Sequence, residues 1–510
     1  MNIWIITTGS SDVQLKTNNN WNALRSKVRN KLETQKQFGE SKSKDGKRFL
    51  YPARAMGVVY GSAIENDPKH YEDLDFPLLN NFFCLLDRQE GRTEKIIIDR
   101  IIVIVTDQSE SFKRAKRNDP SSPYWQDTCT LQPILEKYLK EKSSRKPEFL
   151  VLDPDPKKSS GLDNWNDVLE WVQEKFKEKF SDPKDILEDT TIYVSHQAGT
   201  PAISSAVQFA SLARFGADVQ FLVSNEQDVT LTDIVESSSY LRGIEIQQAK
   251  KLLQWHNYSG MKEVLQRQID EANRPKDKPH VEDEKLKRVA YLLDIATHWN
   301  FAKFEKFAKQ IVNYSNQNLA EQAKAYLQEP AQYWWWEAYE AAYLGVVRLK
   351  QGNTVEAMFH SFRAVEGLLK KWLYEKSGLR VEDGKAQLQK EVEYTNKKGE
   401  KKKTRSANAH GQGLYFALDS IKDINENQHT DIWTFGNAVF DRRNELFHQL
   451  AGLQDKDAVF AEWKSSDEQG WKDRVVNCLN FVADQKFGSI EEASLMAKVH
   501  KELEGEIDNL

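Results

Sequence analysis

The sequence predicts an α/β amino-terminal domain built on a mainly parallel sheet, followed by an all-α remainder. Up to about residue 240, short apolar runs alternate with segments of helical spacing, the pattern of strands separated by helices. From about Leu241 the β-branched runs vanish and long amphipathic patterns take over. Polar turns follow three of the apolar runs, as expected where a parallel sheet presents the carboxyl ends of its strands to a ligand.

The first element, Asn2–Thr7, is short and apolar. It has no basic lead and no long apolar stretch, so it reads as a strand rather than a secretory leader. The polar stretch from about 30 to 75 reads as an irregular insertion. Ile96–Val105 is a β-branched run interrupted by Asp99 and Arg100, and Glu148–Asp153, Thr191–Ser195 and Val219–Val223 are further strands. Trp165–Phe180 has amphipathic helical spacing. Thr200 suits an N-cap and Pro201 the first helical position, so Ala202–Phe215 reads as an apolar helix whose free N–H groups favour a phosphate.

Beyond Leu241, Ile244–Gln268 and Glu284–Asn313 read as long helices, with a break at 273–279. The run Tyr333-Trp334-Trp335-Trp336 fits either a helix buried on several sides or a dimer contact. The expected division is residues 1–240 as the α/β domain, 241–330 as a helical connector and 331–510 as a second helical domain.

A chain of 510 residues is long enough for about three domains. No apolar run approaches the roughly 20 residues of a membrane span. The cysteines, Cys84, Cys129 and Cys478, are odd in number and far apart, which fits a reducing cytoplasm and gives no metal spacing. A net charge of -5 excludes a bulk nucleic-acid coater and requires any nucleic acid to bind locally. The densest basic stretch, Lys397 to Arg405, reads as a solvated loop or as an RNA-attracting loop beside an active site.

Candidate ligand residues follow from the strand ends. Thr8-Gly9-Ser10-Ser11-Asp12 follows the first strand, Thr106-Asp107-Gln108 the second, and Ser195-His196-Gln197-Ala198-Gly199-Thr200-Pro201 a third. All are small, polar and hydrogen-bonding, and they converge on one crevice if the strands are neighbours. Ordinary strand–helix turns have the same composition, so that reading stays open. The absence of G-x-G-x-x-G and of G-x-x-x-x-G-K-[ST] excludes the common dinucleotide and P-loop modes.

A second constellation lies near the carboxyl end. Glu356–Tyr374 reads as a helix with a core stripe of Phe362, Val365, Leu369 and Trp372. Asp431 to Leu450 reads as another, with Phe435, Val439, Leu446 and Leu450 as its stripe. On a continuous helix Asn444 and His448 lie one turn apart on the opposite face, with Arg443 at its flank. These types suit metal-free RNA cleavage, in which the ribose 2′-hydroxyl attacks its own phosphate. Arg is a forked phosphate donor, His exchanges a proton near neutral pH, and Asn orients either partner. The spacing R-x-x-x-x-H also occurs at Arg405 and His410, where no helical pattern surrounds it. An exposed helix face that hydrogen-bonds to a neighbour is the alternative.

Arg443-Asn444-Glu445-Leu446-Phe447-His448 resembles the catalytic R-N-x-x-x-H motif of HEPN ribonucleases, and the helix containing Phe362-Arg363-Ala364-Val365-Glu366-Gly367-Leu368-Leu369 resembles another HEPN helix. Thr8-Gly9-Ser10-Ser11-Asp12 and Gly199-Thr200-Pro201-Ala202 resemble the two signature loops of CARF domains, although Ala198-Gly199 stands where that loop often has two glycines. The order resembles that of the CARF–HEPN ancillary ribonucleases of type III CRISPR systems. That resemblance implies a Rossmann-like sensor of cyclic oligoadenylate (cyclic tetra-adenylate favoured, cyclic hexa-adenylate as alternative), an all-α connector and an all-α HEPN domain. It implies a cytoplasmic homodimer with no membrane, no metal cofactor and no stable complex with the CRISPR effector. Paired copies of Arg443, Asn444 and His448 would cut single-stranded RNA and leave a 2′,3′-cyclic phosphate. Thr8, Gly9, Ser10, Ser11, Asp12, Thr106, Asp107, Gln108, His196, Gln197, Gly199 and Thr200 would hold the activator, and Thr8, Ser10, Ser11 or Thr200 would position its slow cleavage. The rival is a nucleotide-sensing regulatory protein whose helical domain recruits a partner and does no chemistry.

Overall fold

The computed structural model describes residues 1–510 except residue 44 and residues 88–94, 156–160, 183–189, 225–230, 276–280, 396–399 and 441–451. The chain folds as two units, Met1–Leu241 and Arg242–Leu510.

In the first unit, strand β1 (Asn2–Thr7) is buried along nearly its whole length, as a central parallel strand must be. It pairs in parallel with β2 (Arg100–Thr106), which itself pairs in parallel with β3 (Glu148–Leu152). On its other side β1 pairs in parallel with β4 (Thr191–Ser195), followed by β5 (Val219–Val223) and an antiparallel β6 (Asp233–Glu236). The order β6-β5-β4-β1-β2-β3 reverses between β1 and β4, so the topological switch point lies where their carboxyl ends diverge. β2 starts at Arg100 rather than Ile96: Ile97 is exposed, and Asp99 instead accepts from Asn2 N.

Alternation along β1 separates two cores. Trp4 and Ile6 join Val103 and Val105 beneath α1 (Ala53–Asn66) and α2 (Gln132–Ser143). Ile3 and Ile5 join Ile102 and Ile104 beneath α3 (Trp165–Lys179) and α4 (Pro201–Phe215). The 30–75 stretch is therefore not an irregular insertion. It contains α1, which buries Met56, Val59 and Tyr60, and strands of a small four-stranded sheet. The polar segments on either side of α1 hide it in an average over the stretch.

The second unit is mainly helical around a core that runs from Ala249 to Ile507. The two long helices expected from the pattern are each split. α5 (Ser237–Gln254) gives way to α6 (Tyr258–Asn273) at His256, whose φ is 51°. α7 (Val281–Asn300) gives way to α8 (Phe304–Ile311) at Ala302, whose φ is 54°. Neither break carries the glycine that usually marks a left-handed cap, so the sequence conceals them. α9 (Trp336–Lys350) and α10 (Thr354–Glu375) pack against each other; Trp334 and Trp335 lie in the turn before α9 rather than on the helix, and with Trp336 they are all buried inside this unit.

The Lys-rich stretch is not a simple loop. β7 (Val381–Glu382), β8 (Lys385–Thr395) and β9 (Lys401–Asn408) form an antiparallel sheet, an exception to the all-α expectation. Its strands are dominated by Lys, Glu and Gln, which have low strand propensity and give no signal. The carboxyl-terminal α11 (Leu495–Asp508) is tied to α9 by Glu340. That buried carboxylate accepts from Trp299 Nε1 (2.8 Å), Ser494 Oγ (2.9 Å) and Leu495 N (2.5 Å).

Candidate ligand-binding site

At the switch point the three predicted loops do converge. A cavity of about 540 Å³, within the range of roughly 300–1,000 Å³ usual for small-molecule sites, is lined by Thr8, Gly9, Ser10 and Ser11 after β1, by Thr106 and Gln108 after β2, and by Gln197, Gly199 and Thr200 after β4. Asp12, Asp107 and His196 stand outside that lining.

Each loop is folded by its own polar groups. Asp12 Oδ2 accepts from Gly9 N at 2.7 Å and so closes the first turn. A Cβ on Gly9 would meet Gly199 N at 2.8 Å, so the first and third loops touch through backbone. Gly199 has φ +96°, a conformation that glycine adopts without strain. Thr200 caps α4 as expected: its Oγ1 accepts from Ile203 N and donates to Leu162 O. Ser204 N is also taken, by Thr200 O, and Pro201 has no N–H. The helix end therefore offers an anion fewer donors than its sequence suggests.

Several hydroxyls predicted to face the ligand hold the scaffold instead. Thr8 Oγ1 donates to Ile104 O and lies 2.7 Å from Thr128 Oγ1. Thr106 and Thr128 exchange hydrogen bonds, N to Oγ1, in both directions. His196 turns away, with Nδ1 at 3.1 Å from Ser204 Oγ and its ring edge-on to Phe221. Burial lowers its pKa, which keeps the imidazole neutral at pH 7.

Sequence reasoning missed the segment 121–128 and Arg54, which complete the site. Ser121, Pro123, Gln126 and Asp127 line the cavity, and Ser10 Oγ donates to Gln126 Oε1 at 2.5 Å. Arg54, at the start of α1, is the anchor. Its Nη2 donates to Asp107 Oδ1 (2.6 Å) and Asp127 Oδ2 (2.8 Å), its Nε donates to Tyr124 O, and its guanidinium lies 4.1 Å from the centroid of the Tyr124 ring. Burial opposes both charges, but the Arg54 pairing outweighs it and holds the Asp107 carboxyl below its usual range. Asp127 also accepts from Gln108 N and Nε2, while Gln108 Oε1 accepts from Leu162 N. One buried ion cluster thus sets the position of the second loop. Nearby Cys129 is pushed up to about 11 by burial, so its thiol is not a nucleophile at pH 7. Arg54 and Asp127 follow no strand and lie 73 residues apart, so only tertiary structure unites them.

Among the described residues no lysine or arginine lines the cavity, and the charged ones that do are Asp127 and Asp163. Hydroxyls, amides and carboxylates suit hydrogen bonding to nucleobase edges and ribose hydroxyls better than neutralisation of phosphate.

Arg443, Asn444 and His448 fall outside the described residues, as do Leu446 and Leu450 of the expected stripe. The described part of that helix begins as Thr430–Thr434 and continues as a π-helical turn, Phe435–Val439, in which Phe435 and Val439 are buried as expected. A π-turn of this kind shifts helical phase and is frequent at functional sites. Among the described residues no His, Cys, Asp and Glu cluster could hold a metal ion, and no helix is long and apolar enough to cross a membrane.

No protein-family model matches the chain, and no curated protein matches it. Among solved structures, Enterococcus italicus Csm6 bound to cyclic hexa-2′-fluoro-hexa-dAMP is similar with a TM-score of 0.52, covering 99% of this chain and 100% of that one at 10% identity. The chain has the Csm6 fold. The likeness extends over both units, so the α/β-then-helical order expected from sequence is the order of the solved structure.

Proposed function

We propose that the chain is a ribonuclease switched on by cyclic oligoadenylate, with the strand-end crevice as its sensor and Arg443, Asn444 and His448 as its cutting residues. What carries the reading is the coincidence of three features: a Csm6 fold over 99% of the chain, a crevice built from the predicted loops, and an R-N-x-x-x-H motif in the helical unit.

In the crevice, the side-chain N–H groups of Gln126 and Gln197 are offered to the edge of adenine, their carbonyls being held by Ser10 and Ser224 N, while both ends of the Gln108 amide are held by Asp127 and Leu162. The described lining residues include hydroxyls and amides suited to bases and ribose, so the phosphates of a ring are expected to face solvent or a second subunit. A homodimer that places two crevices around one ring meets that demand and fits a two-fold ligand. Residues 241–330 serve as connector and 331–510 as the cutting domain. In the paired site the Arg443 guanidinium neutralises the scissile phosphate, His448 moves the proton of the attacking 2′-hydroxyl or leaving oxygen, and Asn444 orients them. This chemistry needs no metal and yields a 2′,3′-cyclic phosphate. Slow self-cleavage of the activator would fall to Ser11, since the Thr8, Ser10 and Thr200 hydroxyls are engaged in the scaffold.

Calorimetric titration with cyclic tetra-adenylate, cyclic hexa-adenylate and linear hexa-adenylate tests the sensor. Binding of one ring well above the linear strand is expected; equal or absent binding of all three overturns the sensor reading.

A further inference from the structure

The helical unit carries a groove that the sensor and motif leave without a role. It runs between α9 and α10, where Ala338 and Ala341 face Ala364 and Gly367. Small residues at facing positions leave a cavity of about 210 Å³, and a Cβ built on Gly367 meets nothing within 4 Å. Trp334 and Phe304 form a wall. Arg363 stands on one rim and Lys371 two helical turns further, about 12 Å along α10 at 1.5 Å per residue.

The charge is unbalanced here. Arg363 is exposed and has no ionic or hydrogen-bonding partner among the described residues, while Lys371 shares Glu337 at 3.3 Å. Lys376 Nζ lies 5.9 Å from the Trp334 ring, and Lys303, next to Phe304, lies 6.0 Å from the ring of Phe301, which is 67% exposed. In the Lys-rich hairpin, by contrast, three of the cations are paired within the hairpin itself: Lys401 with Glu393 (3.0 Å), Arg405 with Glu391 (3.3 Å) and Lys402 with Glu400 (3.5 Å). In a chain of net charge -5, the groove offers an exposed guanidinium with no ionic partner among the described residues, and the exposed ring of Phe301 immediately precedes its lining residue Ala302. That pairing is what single-stranded nucleic acid requires: cations spaced along a backbone and a face for stacking.

We propose that the groove between α9 and α10 docks single-stranded RNA, with phosphates on Arg363 and Lys371, one base in the cleft over Gly367 and a neighbouring base on Phe301. The proposal rests on the ribonuclease reading and gives the groove a substrate-positioning role, not a cutting one. A free mononucleotide has the same phosphate and base chemistry, so the test includes it.

The full chain is titrated into a fluorescein-labelled 2′-O-methyl oligonucleotide, which lacks the attacking hydroxyl, at several salt concentrations. Arg363→Glu is expected to weaken binding at least fivefold and to reduce the salt slope by about one. Gly367→Leu fills the cleft with a good helix former, and is expected to weaken binding without changing the slope. Wild-type affinity in both variants, or a wild-type chain that does not bind the strand, overturns the groove. Uridine and adenosine monophosphates binding as tightly as the oligonucleotide overturn the RNA assignment in favour of a free nucleotide. Unmodified RNA is assayed in parallel with cyclic tetra- and hexa-adenylate present: a chain that holds the modified strand through Arg363 but cuts no RNA with either ring sinks the nuclease reading and leaves the groove standing.

Discussion

Gly9 and Gly199 meet backbone to backbone in the crevice, where a methyl on Gly9 would stand 2.8 Å from Gly199 N. The two loops singled out in the sequence are thus held at a separation that only glycine permits.

Gly9→Ala is expected to push these loops apart, at a cost of roughly 1–3 kcal/mol for overpacking. Binding of the activating ring should fall at least tenfold by calorimetry, while circular dichroism stays that of the wild type. Unchanged binding would mean that the crevice tolerates the displacement and does not close on the ligand there.

Arg54 is the second point of control. Removing it strands Asp127, which is 1% exposed, as an unpaired buried carboxylate. Arg54→Ala should cost roughly 3–5 kcal/mol of stability in the amino-terminal unit, read from urea unfolding. Arg54→Lys should lose less, because the charge stays and only the fork to Asp107, Asp127 and Tyr124 O is lost. Equal losses in the two variants would show that charge does not matter there.

Strand alternation and turn chemistry expose the sheet and the loops at 8–12, 106–108 and 195–201, because those signals are local. They also place Thr200 as the cap of α4. Arg54, Gln126 and Asp127 are invisible in the sequence, since their roles arise from pairing across distant segments. Asp12 and Thr8 have the chemistry of ligand groups, but the structure occupies their side chains in turn closure and strand anchoring. The helix breaks at His256 and Ala302 are hidden because residues other than glycine adopt the left-handed conformation there.

The break at His256 brings it 4.0 Å, ring to ring, from His500, and both Nδ1 atoms contact Tyr258 Oη. Burial lowers the pair to about 3 and about 4, with Lys350 also opposing charge on both; Glu504 lies 3.4 Å from His500, and the edge of Tyr343 closes the cluster. Folded-state values below the unfolded 6.5 mean that the contribution to stability is present above pH 6.5 and is lost as pH falls toward 4. At about 1.4 kcal/mol per pH unit for each histidine, urea unfolding at pH 5 should show the helical unit destabilised by up to about 4 kcal/mol relative to pH 7. His500→Gln should flatten that dependence; an unaltered slope would place its source elsewhere.

The ion pairs of the Lys-rich hairpin are exposed, screened by solvent, and so contribute little. Arg405→Ala is expected to leave stability and RNA cutting within twofold of wild type. A tenfold loss of cutting would restore the hairpin as an RNA-attracting element.

The most direct measurement is RNA cutting by the purified chain, with and without cyclic tetra- or hexa-adenylate, in the wild type and in His448→Ala. The expected result is cutting that rises at least a hundredfold with one ring, and falls to background in the variant although that ring still binds. Cutting by His448→Ala at the wild-type rate, or a wild type indifferent to every ring, would contradict it.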